Sequence, residues 1–327
     1  MSEYVELHCH SAFSFLDGAS RPEELVRRAS ELGYPALALT DHDGLYGSME
    51  FARAARAAEI RPITGAELTL ESPFPDERAQ VVRPRALPNG ARPLEATGRP
   101  DETASRYHVT LLAETPAGYA NLCRLLTRAH MESPGGRGDP SLTLEALLER
   151  PEGLILLTGC RRSPLLAALE RGTAEAEALA RRLRGVFGPG SLFVELQENA
   201  VHGDRARNRT LCRLADRLGI AVVATGNVHY DRRARHRLQD VLVAIRHRTT
   251  VDDSHALRRP NACFHLASAA EMARRFAGRH DALANTLKIA ERCAAFDLTE
   301  DLGYTFPDFA GSERAPAIRV LAETCRA

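Results

Sequence analysis

Two histidines, His8 and His10, close the alternating apolar-polar run Tyr4-Val5-Glu6-Leu7. On a strand, residues two apart point to the same side, and neutral imidazole is a good ligand for zinc and similar ions. A His-x-His pair where a strand runs out is therefore a natural beginning for a metal site. Similar side chains recur where later apolar runs stop: Asp41 and His42 in Thr-Asp-His-Asp-Gly, Glu67 in Gly-Ala-Glu, Cys160 in Thr-Gly-Cys, and His229 in Gly-Asn-Val-His. Asp17 lies in the loop after the first run, in Phe-Leu-Asp-Gly. Mixed nitrogen, carboxylate and thiolate donors suit borderline metals. More than four donors implies more than one ion, and neighbouring ions suit phosphate-ester hydrolysis, where they activate a water and clamp the leaving oxygen.

Each residue also has a plainer reading. Asp17 beside Gly18 could simply make a turn, Cys160 could be a small buried apolar group, and Asp41 could cap a helix starting near Leu45. His130 falls at the end of a helical pattern, where an imidazole interacts favourably with the last carbonyls. His202, His236, His247, His255, His265 and His280 lie in charged or variable surroundings and read as solvent-facing or structural. The strand-end set as a whole is harder to explain by coincidence than any one member.

The elements that must position these residues alternate regularly. Apolar or alternating runs predict strands over 4–8, 36–42, 62–70, 108–114, 153–160, 191–199 and 221–230. Several are continuously apolar, such as Leu154-Ile155-Leu156-Leu157, which suits a parallel sheet buried on both faces. Helical periodicity covers 22–32, 45–59, 118–130, 174–187, 205–218 and 235–246, with a shorter helix at 142–150. The first opens on Pro22 and stops at Gly33. Seven β-α units in this length fit either a closed (β/α) barrel or a doubly wound sheet, with chemistry at the carboxyl ends of the strands. Residues 71–106, with six prolines and no sustained period, read as a long irregular excursion, and 133–139 is a second, glycine-rich break. After about residue 250 the alternation fades into helical patterns at 268–276 and 282–296, then an irregular stretch at 302–307.

At 327 residues the chain can bury a full core, and 44% hydrophobic with 26% charged residues is ordinary for a globular protein. A formal net charge of zero gives no overall basic field for nucleic acid, although a neutral total can hide separated charges. Basic residues are arginine except for Lys288, which a GC-rich coding bias explains. Seven scattered cysteines without paired spacing, no charged-then-apolar leader and no bilayer-length apolar run predict a cytoplasmic protein without membrane association.

His8-Cys9-His10-Ser11, the Asp17-Gly18 turn, Thr40-Asp41-His42 and Gly65-Ala66-Glu67 resemble the amino-terminal PHP (polymerase and histidinol phosphatase) domain of bacterial DNA polymerase III alpha subunits. The resemblance continues through His108-Val109-Thr110-Leu111-Leu112-Ala113, Gly118-Tyr119-Ala120-Asn121-Leu122, Thr158-Gly159-Cys160, Val194-Glu195-Leu196-Gln197 and Val228-His229. The tail at 302–309 is similar to the passage leading into the polymerase body. Gly65-Ala66-Glu67-Leu68-Thr69-Leu70 and Arg237-Leu238-Gln239-Asp240-Val241-Leu242 resemble most the error-prone, damage-tolerant branch.

That resemblance implies an α/β fold, a distorted seven-stranded (β/α) barrel with a C-terminal helical extension. The barrel would span 1–267, with the irregular insertion at 71–106, and a helical linker at 268–327 would lead toward a polymerase body absent from this chain. It implies two to three divalent ions (Zn, Mn or Fe) on His8, His10, Asp17, His42, Glu67, His108, Cys160, Asn227 and His229. The family places aspartate where Asn227 stands, and His108 opens a strand in the periodicity above rather than closing one. The implied activity is metal-dependent phosphodiester hydrolysis of the 3′–5′ exonuclease type, with His42 or His229 as candidate proton carriers. Implied partners are DNA (a single strand or primer end), the remainder of the alpha subunit, the sliding clamp and other replication or repair proteins. The aspartate cluster of a polymerase active site is not recognisable in the sequence. Two alternatives remain: a catalytically silent module bracing the polymerase, favoured by Asn227, and a free-standing PHP phosphatase.

Overall fold

A computed structural model describes residues 3–74, 106–133, 138–303 and 317–326. Most of the excursion expected at 71–106, the centre of the break at 133–139 and the tail from 304 to 316 lie outside the described residues. Among the described residues, six strands form one sheet in chain order: β1 (Ala36–Leu39), β2 (Arg61–Glu71), β3 (Arg106–Ala113), β4 (Leu154–Leu157), β5 (Leu192–Gln197) and β6 (Ala221–Thr225). β1 pairs with β2 in parallel, as do β4 with β5 and β5 with β6, whereas β3 runs antiparallel to both neighbours. The sheet is thus mixed where the apolar runs pointed to parallel pairing. A strand buried on both faces carries no mark of its direction.

The seventh strand expected at 4–8 is an extended segment held by isolated bridges, Glu6 to Leu37 and Cys9 to Val228. Ala38 N donates to Glu6 O (2.9 Å) and Thr40 N to Cys9 O (2.8 Å) on one side, while Val228 N donates to His8 O (2.9 Å) and His10 N to Val228 O (2.8 Å) on the other. The segment therefore joins β1 to the chain just past β6 and completes the curl of the sheet into a distorted barrel. Its ladder is interrupted because side chains take its amides: Glu6 accepts from His8 N (3.0 Å), Thr40 from Cys9 N (2.9 Å), and Thr286 from Val5 N (3.3 Å). Glu6 also accepts from Gly226 N at 2.9 Å, tying the segment to the end of β6.

Around the barrel lie α1 (Pro22–Glu31), α2 (Ser48–Ala57), α3 (Pro116–Glu132), α4 (Leu144–Leu148), α5 (Pro164–Arg171), α6 (Thr173–Phe187), α7 (Asp204–Leu218) and α8 (His236–Arg246). They are followed by α9 (Ala269–Arg275), α10 (His280–Arg292) and α11 (Ala317–Thr324). Outward strand residues such as Leu37, Leu68, Leu111 and Val194 pack against Leu25, Phe51, Leu122 and Leu214 of the helices in one buried cluster.

The inner faces are graded along the barrel. At one end Ile63, Leu112, Ile155, Phe193 and Val223 form an apolar floor with Val5 and Leu7, sealed by Ile289, Ala290 and Cys293 at the end of α10. Strand side chains alternate with a period of two, so the same faces carry Glu67, then Thr110 and His108, Glu195 and Gln197, and Thr225 toward the other end. β3 reaches that polar end with its first residues because it runs backwards. Hydrophobic burial thus builds the floor, and the polar mouth holds the candidate chemistry.

Candidate metal centre

Glu67, on the buried face of β2, is the hub. His42 Nδ1 lies 2.9 Å from Glu67 Oε2, His108 Nδ1 3.3 Å and His10 Nε2 3.5 Å, while His8 Nε2 lies 3.4 Å from Oε1. His8 Nε2 and His10 Nε2 face one another at 3.1 Å, with both rings fully buried. Asp17 Oδ2 reaches His42 Nε2 at 3.2 Å and His229 Nε2 at 3.4 Å. Cys160 Sγ lies 3.7 Å from His108 Nδ1. Among the described residues, three groups of donors are close enough to share an ion: His10 with His42 and His229, His8 with His10 and Glu67, and His42 with Glu67 and His108.

A surrounding layer fixes the rings. Glu195 Oε1 accepts from His8 Nδ1 at 2.7 Å and from Gln197 Nε2 at 2.7 Å, which aims His8 Nε2 at the centre. Ser14 Oγ sits 3.2 Å from His10 Nδ1, accepts from His42 N at 3.1 Å and donates to Asp41 Oδ1 at 2.6 Å. His229 Nδ1 lies 2.9 Å from Asn227 O. Such partners on the far nitrogen set the tautomer of a ligating histidine. Arg259 Nη2 meets Asp17 Oδ1 at 3.1 Å, so a fixed guanidinium borders the mouth.

Charges at the centre are strongly coupled. Burial disfavours the cationic form of His42, but Glu67 and Asp17 outweigh it and raise its pKa to about 10. His8 is likewise raised against burial, by Glu195 and then Glu67. Burial, then its neighbours His42 and His229, pulls His10 well below the usual imidazole value. Burial and Arg259 lower His229 to about 4. Burial would raise Glu67, yet His108, His42 and His8 hold it well below its ordinary range. The result is a mixed centre, in which His8 and His42 are favoured as imidazolium beside ionised Glu67 and Asp17, while His10, His108 and His229 are held neutral.

Of the residues expected from sequence, the fold brings His8, His10, Asp17, His42, Glu67, His108, Cys160 and His229 to one end of the barrel. The antiparallel direction of β3 explains how His108 opens a strand and still faces Glu67. Asn227 is adjacent through its backbone, but its side chain differs from theirs. Its Nδ2 lies 3.4 Å from Gln197 Oε1 and its Oδ1 makes no hydrogen bond. Asp41 neither caps α2 nor joins the donors; it accepts from Ser11 N (2.7 Å), Ser11 Oγ (2.7 Å) and Ser14 Oγ. His130 bonds Asp43 O at 2.7 Å, bracing the loop after His42, rather than the last carbonyls of its own helix. Ser14 and Arg259 carry no signal in the sequence, and Glu195 is marked there only as part of Val194-Glu195-Leu196-Gln197.

The donor set fits divalent cations. Glu67 Oε1 is buried and accepts no hydrogen bond, a costly state for a carboxylate oxygen unless a cation satisfies it. Imidazole, carboxylate and one thiol together match zinc, manganese or iron better than calcium or magnesium.

The sequence profile of a family described as PHP domain matches residues 6–199. The error-prone DNA polymerase of Symbiobacterium thermophilum is 40% identical over 305 residues, which cover 89% of this chain and 25% of that protein. The error-prone DNA polymerase of Nocardia farcinica is 42% identical over 318 residues, covering 90% and 27%. The DNA polymerase III subunit alpha of Treponema pallidum is 35% identical over 293 residues, covering 89% and 23%. The chain spans about a quarter of the length of these relatives. A solved structure of a candidate metal-dependent phosphoesterase from Bifidobacterium adolescentis has a TM-score of 0.41 and 15% identity, covering 70% of this chain and 88% of that one. Among the described residues, no helix is long and apolar enough to cross a membrane.

Proposed function

The chain belongs to the PHP domain family, and from that premise we propose that it is the amino-terminal PHP domain of an error-prone-type DNA polymerase III alpha subunit, hydrolysing phosphodiester bonds at the 3′ end of a DNA strand. The observation that carries this reading is the convergence of His8, His10 and Glu67 around a carboxylate oxygen that accepts no hydrogen bond. In this proposal His8, His10, Asp17, His42, Glu67, His108, Cys160, Asn227 and His229 hold two to three divalent ions. When bound, such ions supply an activated water and neutralise charge on the leaving oxygen.

The chain's own residues supply orientation and proton transfer. Glu195 aims His8, and Ser14, anchored on Asp41, aims His10. His42, with 23% of its side chain exposed against 2% for His229, is the better placed of the two to hand a proton to a departing oxygen. The proposed division is a barrel at 1–267 and an extension at 268–327 running toward a polymerase body, in a protein working in the cytoplasm beside the clamp and other replication proteins. Asn227 favours a second reading, a silent module that braces the polymerase, because an amide supplies no charge and is a poor zinc ligand.

One assay separates the two. Single-stranded DNA incubated with the chain and manganese or zinc should be shortened from its 3′ end, and His10→Ala should abolish this. No cleavage by the native chain supports the silent module. Cleavage that persists in His10→Ala comes from a contaminating nuclease and counts against the hydrolytic reading.

A further inference from the structure

The exposed large aromatic side chains among the described residues are Phe13, Phe15 and Tyr46, at 38%, 82% and 66% exposure. The other exposed large apolar residues carry no aromatic ring and lie elsewhere in the sequence. All three aromatic residues belong to the two loops that carry the candidate donors Asp17 and His42. Ser14, between the two phenylalanines, touches both His10 Nδ1 and His42 N. The Phe13 ring rests on Gly47, where an added Cβ would meet Phe13 Cδ2 at 2.6 Å, and the Tyr46 ring folds against Gly44. The two loops therefore form one rim at the mouth of the barrel.

That rim is held in place rather than draped. Leu16 (φ 61°) and Asp43 (φ 48°) adopt left-handed backbone, which non-glycine residues sustain only where their surroundings enforce it. Asp43 accepts from Thr69 N and Thr69 Oγ1, both at 2.7 Å, and its carbonyl meets His130. Solvent-facing rings on braced loops, beside a cation-favouring centre and the Arg259 guanidinium, match a ligand with flat apolar faces and an anionic backbone. An unpaired nucleic acid strand is that ligand, since each base offers a face to stack and each phosphate a charge to bind.

We propose that Phe13, Phe15 and Tyr46 form a stacking platform for the unpaired bases of the strand whose phosphodiester lies at the His/Glu centre. The assignment rests on the phosphodiester reading of that centre. The chain contains no tryptophan, so Phe15→Trp places a single indole reporter on the rim and keeps a stacking ring there. Its emission is titrated in chelator, without turnover, against a thymidine oligonucleotide of about 12 nucleotides and a base-free strand of equal length. The expected result is quenching by the thymidine strand, with affinity about tenfold above that for the base-free strand, and loss of most of that preference when Tyr46→Ala is added. Equal affinity for the two strands, or a preference untouched by Tyr46→Ala, overturns the platform. A chain that cleaves DNA yet gives no quenching refutes the platform alone. Quenching and base preference in a chain that does not cleave refute hydrolysis and leave the platform standing.

Discussion

Asn227 offers an amide oxygen where the resemblance to PHP domains implies a carboxylate, leaving Asp17 and Glu67 as the carboxylates among the proposed ligands. Its backbone is left-handed, with φ at 48°, a conformation that asparagine and aspartate both tolerate. Asn227→Asp therefore adds a negative charge without new backbone strain. If Asn227 is a weakened ligand, this substitution should tighten binding of manganese or zinc roughly tenfold in a calorimetric titration. Unchanged affinity would remove Asn227 from the donor set. Six of the proposed ligands, His8, His10, His42, Glu67, Cys160 and His229, are visible as candidates in the sequence because each stands where an apolar run closes. Ser14 and Arg259 are not, since Ser14 meets Asp41 and His42 only across the fold, and Arg259 meets Asp17 across 242 positions of sequence.

Between residue and whole lie the elements, where direction was the hidden variable. His108 looks misplaced until β3 is seen to run antiparallel, with His108 opposite Thr69 and Thr110 opposite Glu67. The N-terminal boundary of α2 also differs from the periodicity: the helix begins at Ser48, not Leu45, because 43–47 forms the rim turn. Helix α5 falls outside the helical periodicity of the sequence, although Ser163 caps it, accepting from Leu165 N at 3.1 Å, and Pro164 opens it. Gly159 tests how tightly β3 and β4 are locked together at the site. Its φ is +93°, and an added Cβ would land on the His108 carbonyl oxygen. Gly159→Ala should cost about 1–3 kcal/mol in thermal unfolding and displace His108 and Cys160, lowering metal content. An unchanged melting temperature with full metal content would contradict that close approach.

Across the whole molecule, the barrel separates stability from chemistry. Its floor, from Val5 to Phe193 and sealed by Ile289 and Ala290 of α10, is apolar, while buried titratable groups collect at the mouth. The apolar floor and the regular alternation of elements were readable from hydrophobic pattern alone. Closure by the N-terminal segment was not, because it depends on Glu6 and Thr40 replacing backbone partners. His10 and Glu67 each belong to two of the three donor groups, so one substitution at either should disturb more than one ion. Elemental analysis of the purified chain is therefore the most direct measurement. Two to three divalent ions per chain, matching the donor groups, with most of that content lost in a folded His10→Ala, is the predicted result. A native chain without bound metal after supplementation, or a His10→Ala chain that keeps its full complement, would contradict the metal centre itself.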